Sequence, residues 1–144
     1  MEKKTVITVV AIVAVVVVLI AAGIGGLVWF VFKATAPPVE AVRAHLEAIN
    51  QGDYARAYTY LHVSVQQQMP LEDFQGYVET NSSVLKTTDT TFSNRSIQNN
   101  VATLRGTHTG QDGTVTPVRW TLVHQGDRWL ITGFRFGDIG EDEE

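Results

Sequence analysis

Four histidines, His45, His62, His108 and His124, are the side chains of this sequence best suited to moving a proton near neutral pH. A general base has to sit where water is excluded, on an inward face among apolar neighbours. His124 shares an alternating face with Trp120 and Leu122 but abuts the turn at Gly126, which puts it at a sheet rim. His108 also precedes a turn. His45 and His62 fall in helical segments, His62 directly after an apolar stripe that ends at Leu61. Each histidine is therefore expected to be solvated or structurally satisfied rather than catalytic. The carboxylates follow the same logic. Asp53 reads as a helix cap, Glu72 and Asp73 as first-turn helix charges, and Asp112 and Asp127 as turn residues. None interrupts an apolar strand face, so no catalytic residue is assigned. The chain has no cysteine and its histidines form no i, i+4 pair, so no metal site and no disulfide are expected. It also lacks a glycine-rich phosphate loop and a serine nucleophile elbow, and no cofactor is expected.

Aromatic residues offer more. Tyr54, Tyr58, Phe74, Tyr77, Trp120 and Trp129 are the candidate lining of an apolar pocket carrying a few hydroxyls, which would suit a hydrophobic small molecule or lipid. The competing expectation is that they fill the core, since a small domain needs most of its large apolar groups to hold together. Tyr60, out of phase with its neighbours, is expected to be exposed to a partner.

The elements that position these residues begin with an anchor. Residues 5–32 contain no charge and are mostly Val, Ile, Ala and Leu, a run of 28. About 20 suffice to cross the hydrocarbon as a helix, and a signal peptide's apolar region is only about 7–15 long. Ala34-Thr35-Ala36 has the small-x-small form of a cleavage site, but Pro37 follows at once and fits signal peptidase poorly. The run is read as an uncleaved single-pass transmembrane anchor spanning 5–33. Lys3 and Lys4 hold residues 1–4 in the cytoplasm, and residues 34–37 form a stiff linker to an extracytoplasmic domain at 38–137. Trp29, Phe30 and Phe32 suit an interfacial belt at the outer face, and Gly23, Gly25 and Gly26 a close helix approach. Residues 138–144 read as an acidic, solvated, disordered tail. From residue 37 onward eight basic residues face fourteen acidic ones, a net charge of −6 that argues against nucleic acid as a partner.

Within the domain, Val39, Val42, Leu46 and Ile49 make one helical stripe, with Gly52 as C-cap. A second helix is expected with Tyr54, Ala57, Tyr58 and Leu61 on one face, and a third opening at Met69-Pro70. Extended segments follow: 84–95, then "VATLRGTHT", "TVTPVRWTLVH" and "RWLITGFRF", with turns at Gln98-Asn99-Asn100, Gln111-Asp112-Gly113 and Gln125-Gly126-Asp127. Pro117 lacks an N–H and should sit at an edge or bulge. The fold class is α+β: three helices packed on a curved antiparallel sheet of about four strands behind one transmembrane helix.

The runs "EAINQGDYARAYTYL", "PLEDFQGYV" and "VRWTLVHQGDRWLITGF" resemble the nuclear transport factor 2-like (SnoaL-like) superfamily, and the likeness covers nearly all of 38–137. That resemblance implies a sheet curled into a cone whose mouth the helices close over a pocket. Some relatives are isomerases, cyclases or dehydratases with a carboxylate or histidine inside the cone. The steroid-isomerase pattern of a tyrosine with two buried aspartates is not found here. Three function classes follow. The first is a non-enzymatic accessory protein docking on a membrane-protein partner or a second copy of itself. The second is a binding module for a hydrophobic ligand, and the third an isomerase or hydrolase-type enzyme.

Overall fold

The computed structural model describes residues 2–137, with the side chains at 2, 5, 6, 22, 23 and 25–36 outside that description. The chain divides into two compact units, Met1–Ala34 and Thr35–Glu144. Helix α1 spans Glu2–Asn50. In the first unit every side chain over residues 7–21 is exposed, Ile7 at 67% and Leu19 at 65% among them. Thr8 donates its hydroxyl to the Lys4 carbonyl at 2.8 Å, which satisfies a polar group inside an apolar helix. Among the described residues no helix is long and apolar enough to cross a membrane. The side chains of Trp29, Phe30, Phe32, Gly23, Gly25 and Gly26, and the whole acidic tail 138–144, lie outside the described residues.

The linker expected at 34–37 is not a break, because α1 runs through Pro37 and Pro38 to Asn50. Both prolines lie inside α1, where neither has an N–H to donate to the helix. Val39, Val42, Leu46 and Ile49 are all buried, at 5%, 0%, 3% and 0% exposure. Gly52, at φ +73°, ends the helix with a conformation that costs other residues more.

Asp53 caps α2 (Tyr54–Tyr58) by accepting from the Arg56 N–H at 3.2 Å. This helix is shorter than its apolar face suggests. Thr59, Tyr60 and Leu61 each donate to a carbonyl three residues back, tightening the chain out of the α-helix. The segment then pairs with a strand: His62 N–H donates to Ile131 O, and Ile131 N–H to Tyr60 O, both at 2.8 Å. Helix α3 (Val63–Gln68), capped by His62, and the short α5 (Ser82–Leu85) stand beside α4 (Leu71–Thr80), two helices that the expected set of an anchor and three domain helices did not include. Strand β1 is Thr87–Gln98, not 84–95. Val84 and Leu85 belong to α5, where both donate to the Asn81 carbonyl at 3.0 Å and bury their side chains.

Strands β2 (Val101–Gly110), β3 (Val115–Gln125) and β4 (Arg128–Phe136) complete a four-stranded antiparallel meander in the order β1-β2-β3-β4. Pro117 sits where the β3–β4 ladder finishes. Gly137 donates to its carbonyl at 3.0 Å, and no strand residue beyond Phe136 faces its nitrogen. Bulges fall between Phe92 and Asn94 on β1 and between Ile131 and Gly133 on β4. Helix and strand residues close into one core around Leu46, Phe74, Leu104, Trp120 and Leu122. The α+β architecture is thus a sheet covered by helices on one face, and the other face carries Thr103, Arg105, Thr107, Arg119 and Thr121.

Candidate functional site

A cavity of about 400 Å³ opens between α3, α4 and the sheet. Its walls are Leu61, Val65, Met69, Phe74, Leu85, Ile131 and Phe134, and His45 and Trp120 close its inner end. Ser64, Gln68, Tyr77 and Thr132 bring the remaining polar groups. Four elements build it for separate reasons. α1 presents His45 on the same stripe as Val42 and Ile49; α4 turns Phe74 and Tyr77 inward; the bulge near Thr132 shifts β4; and the Leu61–Ile131 bridge holds α3 over the strand.

His45 is 2% exposed, among Trp120, Phe74 and Tyr60 rings at 5.7, 5.8 and 6.3 Å. Its Nδ1 lies 2.8 Å from the Ala57 carbonyl, so Nδ1 carries the proton and donates. Nε2 is then left with a lone pair, and no hydrogen bond engages it among the described residues. Burial holds the imidazole pKa at about 4, against the smaller opposing pull of the Ala57 carbonyl, so the ring is neutral at physiological pH. Burial also pushes the Tyr77 phenol up, leaving it a neutral donor.

His108, at 0% exposure, is wholly satisfied. Nδ1 donates to Val84 O at 2.9 Å, and Nε2 accepts the Trp120 indole N–H at 3.1 Å. Those two bonds fix the neutral tautomer, and burial lowers its pKa. This residue ties α5 to β2 and β3 and lies off the cavity lining, although its place before a turn suggested the surface. Phe134 stacks on it and lies tilted against Trp120, with the Trp120 and Phe134 ring centroids 4.1 Å apart. Replacing Trp120 with Phe would leave His108 Nε2 buried and unpartnered, a loss of about 1–3 kcal/mol before any packing change. Urea denaturation of the two proteins measures it, and equal midpoints would show that the indole bond contributes nothing.

Of the six aromatics the sequence nominates as lining, the structure brings Phe74, Tyr77 and Trp120 to the cavity. Tyr54 packs against the core elsewhere. Tyr58 packs on Phe74 at 5.7 Å and spends its hydroxyl on the Met69 and Gln66 carbonyls, at 2.8 and 3.1 Å. Trp129 stacks on the exposed His124 at 4.9 Å, at the turn end of β3 and β4. Tyr60 is half-buried, edge-on to His45, with the Arg128 guanidinium 5.8 Å above its ring, so it is not the free surface aromatic expected. His45 is the polar residue that sequence reasoning missed. The signal was present, since it lies three residues after Val42 and four before Ile49. Among the described residues no group of His, Asp or Glu could hold a metal ion.

Residues 33–139 match a family described as Domain of unknown function (DUF4864). The chain belongs to this family. The DUF4864 domain is also similar to a solved structure, an NTF-2 like protein of unknown function from Shewanella oneidensis MR-1. The two share 18% identity over 73% of this chain and 99% of the other, with a TM-score of 0.55. At that identity the likeness speaks to fold alone, and the fold of the DUF4864 domain is NTF2-like. No curated protein matches the chain.

Proposed function

We propose that this DUF4864 domain is a binding module for a hydrophobic small molecule or lipid. The observation that carries the reading is the cavity: about 400 Å³, within the range of small-molecule sites, with apolar walls and one unengaged acceptor, His45 Nε2, at its inner end. From sequence alone a docking role ranks first; the open space beside Trp120 moves ligand binding ahead of it. Catalysis ranks last. A base works best with its pKa near the operating pH, whereas His45 is held at about 4 and no carboxylate among the described residues lines the cavity. His45 is suited instead to accept a hydrogen bond from an alcohol or amide headgroup.

The N-terminal helix supports a tether. Its uncharged run is 28 residues long, and the Val, Ile and Leu side chains described within it are exposed, Val16 at 47% and Val18 at 65%. Apolar surface of that extent is costly in water and inexpensive in lipid. On this reading the protein is a single-pass membrane protein, N-terminus cytoplasmic, whose extracytoplasmic domain takes its ligand close to the bilayer.

The test is a titration of the full-length protein in nanodiscs with a pyrene-labelled long-chain alcohol. Saturable binding is expected. Val65→Trp, which fills the cavity from α3, should abolish it, and His45→Leu should weaken it roughly tenfold by removing one buried hydrogen bond. Equal binding by Val65→Trp and the parent protein would sink the cavity as the site.

A further inference from the structure

Three arginines stand abreast on the sheet face away from the helices. Arg105 on β2 pairs directly with Arg119 on β3, and Arg119 with Arg135 on β4. Their strand neighbours Leu104, Val118 and Trp120 are buried in the core, so alternation turns the arginines outward. Strands lie about 4.8 Å apart, and the row spans roughly 10 Å. Like charges directly opposite one another destabilise a sheet, yet the positions beside this row are all neutral. Asn94 of β1 faces Arg105, and the adjacent outward positions hold Thr103, Thr121 and Gly133 on one side, Thr107 and Pro117 on the other. Among the described residues none of the three arginines takes part in an ion pair.

Arg119, at the centre, carries the sharpest cost. Its Nε and Nη2 are buried and have no hydrogen-bond partner among the described residues. A guanidinium holds an oxyanion through two parallel bonds from such an edge, and leaving it desolvated and unmatched is unfavourable. Arg105 is half-buried and Arg135 exposed, so the row is open to solvent at its β4 end, and Arg135 has the rotamer freedom to uncover the Arg119 edge. Three guanidinium groups exceed what one carboxylate can match with two oxygens and a single charge. A phosphate monoester brings about two charges and three terminal oxygens, enough to bridge neighbours in the row. The hydroxyls of Thr103 and Thr121, about 7 Å along the strands, are further donors on the same face. Residues 37–144 are negative overall, so the row is a local positive feature that suits one small anion and not a polyanion.

We propose that Arg105, Arg119 and Arg135 form a binding site for a phosphate monoester group, with Arg119 holding two of its oxygens and the flanking arginines the third. Two sources present that chemistry, a soluble phosphate compound and a phosphatidic acid headgroup. The site lies on the opposite face of the sheet from the cavity and stands whether or not the cavity binds a ligand.

The test takes the full-length protein in a phosphate-free maltoside detergent and follows inorganic phosphate by phosphorus NMR line broadening, with acetate at matched ionic strength as competitor. Phosphate should bind saturably and resist displacement by acetate. Arg119→Gln should weaken it about tenfold or more, the effect of losing one charge-assisted pair. Arg119→Lys keeps the charge but loses the fork, and should bind within about threefold of Arg119→Gln. Arg135→Gln, at the exposed end of the row, should weaken binding about threefold. Arg43→Gln, which removes an exposed charge from α1, should leave it unchanged. The Gln changes in the row relieve repulsion, so their unfolding midpoints should equal or exceed the parent's. Repeating the titration with dihexanoylphosphatidic acid separates the sources. Arg119-dependent binding tighter than that of inorganic phosphate assigns the site to the lipid headgroup, and equal or weaker binding to a soluble phosphate compound. Phosphate binding no stronger than that of acetate, or equal in the parent protein and Arg119→Gln, would overturn the site.

Discussion

Lowering the pH from 6.5 to 4 is expected to cost the folded domain about 3 kcal/mol through His45 alone. In the unfolded chain this histidine takes up a proton near 6.5; in the fold, burial among Trp120, Phe74 and Tyr60 holds it neutral down to about 4. Between those values the unfolded state binds the extra proton, so acid pulls the equilibrium toward it. The contribution is fully present above 6.5, declines as pH falls through the window, and stops changing below about 4. His108 acts with the same sign. Its protonation would both place a charge in the core and remove the acceptor of the Trp120 indole N–H. Denaturant titrations of the full-length protein at pH 7, 5.5 and 4.5 measure the slope. The informative comparison is His45→Leu. That variant orphans the Ala57 carbonyl and is less stable throughout, but its stability should depend less on pH across the window. A parent protein equally stable at pH 7 and 4.5 would mean that His45 is not buried as described.

The same residue marks the boundary of what the sequence makes legible. The stripe Val39, Val42, Leu46 and Ile49 could be read because four apolar residues at helical spacing have one physical use. His45 lies on that stripe, but a histidine's type does not reveal whether water reaches it. Strand alternation served equally well for Val118, Trp120 and Leu122, all buried, and the glycine turns at Gly113 and Gly126 adopt the positive φ their positions ask for. The cavity lining was only half legible. Periodicity reports which side of an element faces inward, not what stands opposite. Tyr58 faces inward but turns its hydroxyl to two loop carbonyls, and Trp129 ends beside His124 at the sheet rim. The bulge near Thr132 that shapes the cavity leaves no mark in the hydrophobic pattern, because one extra residue in a strand of mixed character reads as ordinary alternation. The pairing of Arg105 with Arg119, and of Arg119 with Arg135, is invisible for a related reason: the three are far apart in sequence, and only register sets them side by side.

Gly106→Ala is expected to destabilise the domain by at least about 3 kcal/mol, at or above the upper end of ordinary overpacking. Gly106 pairs with Phe92, where β1 bulges past Ser93 and leans over β2. A methyl group there would overlap the Thr91 carbonyl oxygen outright and come within 2.7 Å of the Thr91 carbonyl carbon and 2.8 Å of Phe92 Cα. These are backbone atoms. No rotamer change relieves them, and β1 could move away only by lifting Phe92, 5% exposed, out of the core. The loss should therefore appear as detachment of the β1 edge, with amide exchange in residues 87–98 accelerating more than in β3. Gly133→Ala is the matched control on β4. Its added methyl would meet only the Thr121 side chain, at 3.7 and 3.8 Å, in ordinary contact, so its effect should stay within about 1 kcal/mol and fall on the favourable side if the unfolded chain loses freedom. If the two variants lost similar stability, the cost would belong to glycine replacement in general and not to the close approach of β1 and β2.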